Sequence, residues 1–193
     1  MKRFFLILAL CTAPLATLYF ALGRAVTPAT PSTPSTFDKI FVFGDSLSDQ
    51  GNVYAASKQA FPHAPYYEGR FTNGKVWIEY LAEALGTEPL KPSLLGGTNY
   101  AYGGARTGDG FRGKRPNIGE QISQFLKKHK RADPEALYVV CGGGNDFLGG
   151  TFLYTIENLE RHITTLIDAG ARHIIVTNFP PLGYAPVFTH EIP

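Results

Sequence analysis

A serine follows directly on an apolar run, at the point where the chain changes from strand-like to polar residues. Residues 41–52 read FVFGDSLSDQGN, so that Ser46 comes after Gly44 and Asp45. Glycine allows the sharp turn that exposes such a serine, and a serine activated by a base can attack an acyl group. Serine and aspartate are also favoured helix N-caps, so Ser46 can equally cap a following helix. The motif alone leaves both roles open.

Two further turns carry groups that acyl transfer requires. The oxyanion of a tetrahedral intermediate needs hydrogen-bond donors, and each donor lowers the barrier by roughly 3–4 kcal/mol. Residues 100–107, YAYGGART, supply a Gly-flanked amide near Gly104, and residues 142–146, GGGND, supply the carboxamide of Asn145. Loop glycines and a turn asparagine explain either turn taken alone. Together with Ser46, the two turns indicate a site for acyl transfer.

Short β-rich runs lead into these three turns. Four such runs, at 39–45, 98–104, 136–144 and 172–179, alternate with helical patterns of apolar residues at 76–85, 118–126 and 152–167. Strands that alternate with amphipathic helices predict an α/β domain with a parallel sheet. Ligands of such sheets bind beyond the carboxyl ends of the strands, where the Gly-rich turns fall. Cys141, in the third run, is expected to be a buried core residue.

The first 36 residues differ in composition from the rest of the chain. A basic start and the uncharged apolar run 4–23 predict a signal peptide or an N-terminal membrane anchor over residues 1–24. The Pro/Thr/Ser tract at 25–36 predicts an extended linker, which leaves 37–193 as the folded body. We therefore expect a protein that is secreted, periplasmic or membrane-anchored facing outward. The net charge of +2 gives no indication of a nucleic-acid partner.

Four segments together resemble the GDSL, or SGNH, family of serine esterases and lipases. GDSLSDQGN at 44–52, NYAYGGA at 99–105, GGND at 143–146 and NFPPLGYAP at 178–186 are similar to its blocks in order and spacing. The resemblance implies a flavodoxin-like three-layer α/β sandwich with a parallel sheet. It also implies hydrolysis of carboxylic esters, such as lipid or acylated-sugar esters, without a metal or an organic cofactor.

The same resemblance implies roles for individual residues. Ser46 would be the nucleophile, and the oxyanion hole would consist of the Ser46 amide, Gly104 and Asn145. Gly103 is the alternative register for the second donor. Three neighbouring residues are expected to support the site: Gly44, Asp45 and Asp146.

The sequence departs from the family pattern in the residues that would activate the serine. The family carries them in an Asp-x-x-His block near the C-terminus, whereas no aspartate here is followed by histidine three residues later. Surface or capping roles are expected for all five histidines, with His63 as the candidate for a substitute base. Asp49 and Asp146 are expected to stabilise turns rather than to join a triad.

We therefore expect residues 37–193 to be a partial hydrolase domain, incomplete at its C-terminus. Two interpretations stay open at this point. One is an esterase with a substitute base, and the other is a catalytically incomplete fragment or non-catalytic remnant of such an esterase. We expect neither the phosphate-binding pattern G-x-x-x-x-G-K-S/T nor a G-x-G-x-x-G turn, and a flavodoxin-like nucleotide binder is therefore disfavoured.

Overall fold

The apolar runs and helical patterns form an alternating series of strands and helices. The structure, a computed structural model, describes residues 37–178. Two single turns of 3-10 helix lie at Ser93–Leu95 and Phe152–Tyr154. In chain order the elements are β1 (Ile40–Gly44), α1 (Asn52–Ala56), α2 (Trp77–Leu85), β2 (Phe111–Arg112), β3 (Arg115–Pro116), α3 (Ile118–His129), β4 (Leu137–Cys141), α4 (Gly144–Leu148), α5 (Thr155–Asp168) and β5 (His173–Val176).

Three of the strands form the parallel sheet that the sequence predicts. Strand β1 pairs with β4, and β4 pairs with β5, both in parallel. Gly44 lies opposite Cys141 at the carboxyl ends of β1 and β4. Both strands are buried along their whole length, as expected for strands covered on both faces. The turns that carry Ser46 and Asn145 therefore leave the sheet at the same edge.

The run at 98–104 lies beside β1, on the side away from β4. The Tyr100 amide donates to the Val42 carbonyl at 2.7 Å, and the Tyr102 amide donates to the Gly44 carbonyl at 2.9 Å. Only Asn99 forms a bridge with β1, so the predicted strand is reduced to a short extended segment. On the side away from β1, the Asn52 carboxamide donates to the carbonyls of Asn99 and Ala101, at 2.8 and 2.9 Å.

Helices cover the two faces of the sheet, which gives three layers. Alternate side chains of β1 point to opposite faces, as the geometry of a strand requires. Phe41 and Phe43 pack with α3 and α5, whereas Ile40 and Val42 pack with α2. Cys141 is buried and its thiol is free, as predicted. The α/β sandwich expected from the sequence is thus confirmed.

Two features differ from the sequence-based expectations. The pattern at 152–167 predicts one helix with an apolar buried face, but Phe152 lies in a 3-10 turn, and Phe152, Ile156 and Ile167 are exposed. The expected absence of a G-x-G-x-x-G spacing is wrong, because residues 108–113 have it. In dinucleotide-binding proteins this spacing joins a strand to a helix. Here the spacing runs into the hairpin of β2 and β3, so it does not form that motif.

The predictions for the N-terminus fall outside the described part of the chain. The signal peptide or anchor at 1–24 and the linker at 25–36 therefore stay predictions. Within residues 37–178, the structure contains no helix long and apolar enough to cross a membrane.

Candidate active site

Ser46 lies in a tight turn directly after β1. The amides of Ser48 and Asp49 both donate to the Asp45 carbonyl, at 3.1 and 3.0 Å, and the Leu47 amide donates to the Asp45 carboxylate at 3.0 Å. Ser46 itself is half-buried. The turn therefore holds the backbone on either side of Ser46 and leaves the serine at the carboxyl edge of the sheet.

The alternative role of Ser46 as a helix cap is wrong. Helix α1 begins six residues later, at Asn52. At the start of this helix, backbone amides that have no partner within the helix donate to the carboxylate of Asp49. The donors are the amides of Gly51, Asn52 and Val53, at 2.6–3.2 Å. These bonds satisfy a buried carboxylate, which needs several donors, and they hold the turn together. Asp49 therefore stabilises this turn, as the sequence predicted.

Gly44 is fixed by contacts that exclude a side chain. A Cβ at this position would collide with the carbonyl of Cys141 on the neighbouring strand. The Gly44 amide donates to the Gln121 carboxamide oxygen at 2.8 Å, and the Gln121 amide group donates to the Gly44 carbonyl at 2.9 Å. This side chain of α3 therefore completes the hydrogen bonding at the end of β1, where the turn of Ser46 begins.

A cavity of about 340 Å³ opens beside Ser46. Its walls include the apolar side chains Phe71, Val76 and Trp77, together with Cys141. The Trp77 ring is held by a hydrogen bond from its Nε1 to the Ser48 hydroxyl at 3.0 Å. An apolar cavity next to a serine hydroxyl can hold the carbon chain of an ester while its carbonyl faces the serine.

The two glycines at 103 and 104 are in different hydrogen-bonding states. The Gly103 amide already donates to Asp49, at 2.9 Å. The amides of Gly104 and Ser46 have no hydrogen-bond partner within residues 37–178. Gly104 has φ of +82°, a conformation that glycine adopts without strain. Of the two glycines, Gly104 is the one with a free donor.

Asn145 bridges the segments that carry the other two donors. Its Nδ2 lies 2.9 Å from the carbonyl oxygen of Ala105, the residue after Gly104. The same Nδ2 lies 3.5 Å from the carboxylate of Asp45, the residue before Ser46. The structure therefore brings Ser46, Gly104 and Asn145 to one place, although they are up to 99 residues apart in the sequence.

Hydrogen bonds to Asp146 hold the Gly104 segment against α4. Its carboxylate accepts hydrogen bonds from the Thr107 amide, at 2.9 and 3.2 Å, and from the Thr107 hydroxyl at 2.7 Å. His162 of α5 lies on the other side, with Nε2 2.7 Å from the Thr107 carbonyl oxygen. The Asp146 carboxylate therefore supports the Gly104 segment, and Thr107 joins this segment to two helices, α4 and α5.

The acidic groups of the site are strongly desolvated. Burial raises the pKa of Asp45 from 3.8 to about 6, and the neighbouring Asp146 carboxylate adds to this effect, against the hydrogen bond from Leu47. Burial also raises the pKa of the Cys141 thiol. Asp45 therefore binds a proton in mildly acidic solution, whereas an exposed aspartate would not.

None of the histidines in residues 37–178 forms a hydrogen bond with Ser46. His63 is exposed in its loop, and the ring of His129 stacks on Phe125 at 4.9 Å. The expected surface role of His162 is wrong, because the ring is buried against Thr107, and burial lowers its pKa. The remaining two are His173, which is exposed, and His190, which lies outside the described residues.

Comparison with known proteins gives the family of the chain. The profile of a family described as GDSL-like lipase/acylhydrolase matches residues 40–192. This chain belongs to that family. The match includes all the site residues described above, from Gly44 to Asp146. The resemblance inferred from the sequence motifs, and the fold that it implied, are therefore confirmed.

Three relatives are similar over most of the chain. A phosphatidylcholine-sterol acyltransferase of Aeromonas hydrophila is 32% identical over 84% of this chain and 50% of its own length. A thermolabile hemolysin of Vibrio parahaemolyticus is 34% identical over 82% of this chain and 37% of its own length. A GDSL esterase/lipase of Arabidopsis thaliana is 30% identical, over 76% and 53% respectively. The chain spans about half, or less, of the length of these relatives.

Two supporting residues of this GDSL-family site were missed by sequence reasoning. Gln121 binds both polar groups of Gly44, and Thr107 connects Asp146 with His162. Gln121 interrupts the apolar pattern of α3 between Ile118 and Ile122, and this polar residue on a buried helix face is a signal that could have been used. No comparable signal points to Thr107, because its neighbours come from two distant helices.

Proposed function

We propose that this chain hydrolyses carboxylic esters by attack of the Ser46 hydroxyl on the ester carbonyl. The attack forms a bond between Ser46 Oγ and the carbonyl carbon, and the carbonyl oxygen becomes an oxyanion. Collapse of this intermediate expels the alcohol and leaves an acyl-enzyme, which water then hydrolyses. The amides of Ser46 and Gly104 and the carboxamide of Asn145 would donate hydrogen bonds to the oxyanion.

The bridging position of Asn145 carries this proposal. A donor group that reaches both Ala105 and Asp45 brings the Gly104 segment and the Ser46 turn within hydrogen-bonding range of one side chain. The free amides of Ser46 and Gly104 support it further, because a backbone amide has a single hydrogen and can donate it to an oxyanion only when no other acceptor holds it. The Asn145 amide group has two hydrogens, and the one that faces Asp45 makes only a long contact, at 3.5 Å. The bonded amide of Gly103 favours Gly104 for this role.

A base must remove the proton from Ser46, and we propose His63 as the first candidate. Its loop contacts one wall residue of the cavity beside Ser46 through a row of aromatic rings. The His63 ring lies 6.1 Å from that of Phe61, which lies 5.6 Å from that of Phe71 in the cavity wall. The side chain is exposed and can turn towards a bound substrate. Geometry tightens in many sites only when substrate is present.

Family membership supports an ester substrate, and the cavity supports an acyl chain. We propose lipid esters or acylated-sugar esters as the substrates, since the relatives named above include an acyltransferase with a lipid substrate in its name and an esterase/lipase. The apolar run at the N-terminus supports a site of action outside the cytoplasm, whether secreted, periplasmic or at the outer face of a membrane.

Hydrolysis of p-nitrophenyl butyrate by the full chain tests the proposal. The unchanged chain is compared with Ser46→Ala and with Ser123→Ala. Ser123, on α3, is a matched control because it lines another cavity than the one beside Ser46. We expect Ser46→Ala to lose turnover by about a thousandfold or more, and Ser123→Ala to keep it. His63→Asn is then expected to lower kcat, and an unchanged kcat would mean that another group is the base.

Two outcomes would contradict the proposal. Turnover that persists in Ser46→Ala would mean that another nucleophile acts. Equal background rates in the unchanged chain and in Ser46→Ala, with folding verified by circular dichroism, would favour the alternative of a chain that does not turn over esters. That alternative rests on the missing Asp-x-x-His pattern.

A further inference from the structure

The ring of His162, on α5, is a buried hydrogen-bond donor that the proposed reaction does not use. The residue is 3% exposed, and its Nε2 lies 2.7 Å from the Thr107 carbonyl oxygen. A carbonyl oxygen only accepts hydrogen bonds, so Nε2 carries the ring proton and donates it. Burial lowers the pKa of the ring below its usual value, against the hydrogen bond to Thr107, which raises it. At neutral pH, His162 therefore donates as an uncharged imidazole.

The first turn of α3 confines this ring on another side. A Cβ at Gly119 would come within 2.6 Å of the His162 Cε1, so the ring packs directly on the backbone of this turn. The Gly119 amide also donates to the carbonyl of Gly108, the residue after Thr107, at 3.1 Å. The turn therefore holds both the ring and the segment to which the ring donates, and the ring can leave Thr107 only if α3 moves.

Two neighbours of His162 on α5 bind the same segment. Asn158 lies one turn earlier, and its Nδ2 donates to the Thr107 hydroxyl at 3.3 Å. Arg161 pairs with Asp109 at 2.9 Å and donates to the Asn158 carboxamide oxygen, also at 2.9 Å. Residues three and four positions apart lie on one face of a helix. One face of α5 therefore holds the segment from Thr107 to Asp109.

Residues 105–107 connect this face of α5 with the candidate oxyanion donors. The stretch follows directly on Gly104, and its first carbonyl, that of Ala105, accepts a hydrogen bond from Asn145 at 2.9 Å. At its other end, the amide and the hydroxyl of Thr107 donate to Asp146, the residue after Asn145. A shift of Thr107 would therefore move the Ala105 carbonyl that orients the Asn145 carboxamide.

We propose that His162 is a positioning residue, which fixes the orientation of Asn145 by holding the Thr107 carbonyl. His162 forms no hydrogen bond with Ser46, so it acts on the reaction only through the donor segment. A small displacement of a group that must meet the transition state is enough to slow a reaction strongly. This inference rests on the ester hydrolysis proposed above, because it concerns the donors of the same site. The competing role for the ring is to fill space between α5 and Thr107.

Two substitutions separate positioning from the filling of space. His162→Gln keeps an N–H donor near the place of Nε2, whereas His162→Leu keeps an apolar side chain and loses the donor. With p-nitrophenyl butyrate, we expect His162→Leu to lower kcat about tenfold with KM little changed, and His162→Gln to keep kcat within about threefold. His173→Leu, at an exposed position of β5, is the control and should keep kcat. A leucine variant as active as the glutamine variant, or an equal loss in the control, overturns the inference.

Nuclear magnetic resonance of the full Ser46→Ala chain separates this inference from the proposed hydrolysis, because it needs no turnover. We expect the ring nitrogen signals of His162 to show the proton on Nε2 at pH 7. The Thr107 amide proton should exchange about tenfold faster after His162→Leu, and no faster after His162→Gln. These results would support the positioning role even if no ester is hydrolysed. A proton on Nδ1, which is measured without any change at His162, or an exchange rate that the leucine leaves unchanged, overturns it.

Discussion

Replacement of Asp45 by asparagine tests the electrostatics of the turn that holds Ser46. The Asp45 side chain is 2% exposed, and its carboxylate faces the Leu47 amide and the carboxamide of Asn145. Asparagine has the same shape and keeps an oxygen that can accept the hydrogen bond from Leu47. The substitution therefore removes the ionisable group and changes little else in the turn.

The expected effect is a change in how stability depends on pH. The pKa of Asp45 is raised from 3.8 to about 6, chiefly by burial, so the folded chain binds this proton more tightly than the unfolded chain. The stability that this proton contributes is complete below pH 3.8 and is lost as the pH rises through about 6. At about 1.4 kcal/mol for each pH unit, the loss amounts to about 3 kcal/mol.

Urea unfolding at several pH values from 4 to 8 measures this difference. The free energy of unfolding of the unchanged chain is compared with that of Asp45→Asn, and we expect the variant to gain about 2.4 kcal/mol relative to the unchanged chain between pH 4 and pH 7. Asp168→Asn, at an exposed position of α5, is the matched control for removal of a carboxylate. A difference between the two chains that stays constant over this range would refute the burial of an ionisable Asp45.

Three further substitutions test the supports of the site. Gln121→Ala leaves the Gly44 amide without a partner, whereas the Gly44 carbonyl keeps its bond from Tyr102. We expect the variant to lower the free energy of unfolding by about 2 kcal/mol, against about 0.5 kcal/mol for the half-buried Gln124→Ala. Gly44→Ala is expected to cost about 2 kcal/mol, because its methyl group meets the neighbouring strand. Thr107→Val removes the hydroxyl bound to Asp146, so we expect kcat for p-nitrophenyl butyrate to fall about tenfold with KM little changed. Urea unfolding tests Gln121→Ala and Gly44→Ala, and steady-state kinetics test Thr107→Val. A variant with the same free energy of unfolding, or the same kcat, as the unchanged chain would contradict the contact that it removes.

The arrangement of the sheet could be predicted because its signals are local. The unbroken apolar runs that form β1 and β4 are typical of strands buried on both faces, and β1 ends in Gly44 whereas β4 is followed directly by Gly142. Since parallel strands end at one edge, the position of Ser46 near Asn145 followed without any knowledge of side-chain contacts.

The supporting contacts could not be predicted, because they depend on how distant elements pack. Gln121 reaches Gly44 across 77 residues of sequence, and Thr107 reaches Asp146 across 39. From the sequence alone, either Ser46 or Asp49 could cap the first turn of α1. Only the positions of the backbone amides show that Asp49 binds them. His162 is buried because α5 packs on the Thr107 segment. Its neighbours in the sequence are charged, so the sequence indicated an exposed position.

The hydrogen bond between the Gly44 amide and Gln121 makes the motion of the Ser46 turn measurable. In an ordinary parallel sheet, the amide proton at the end of a strand exchanges with solvent when two strands separate. Here the Gly44 proton is held by a helix side chain, so it exchanges only when α3 moves away from the sheet. The exchange rate of this single proton, followed by nuclear magnetic resonance, would therefore measure how often α3 separates from the sheet and exposes the start of the Ser46 turn.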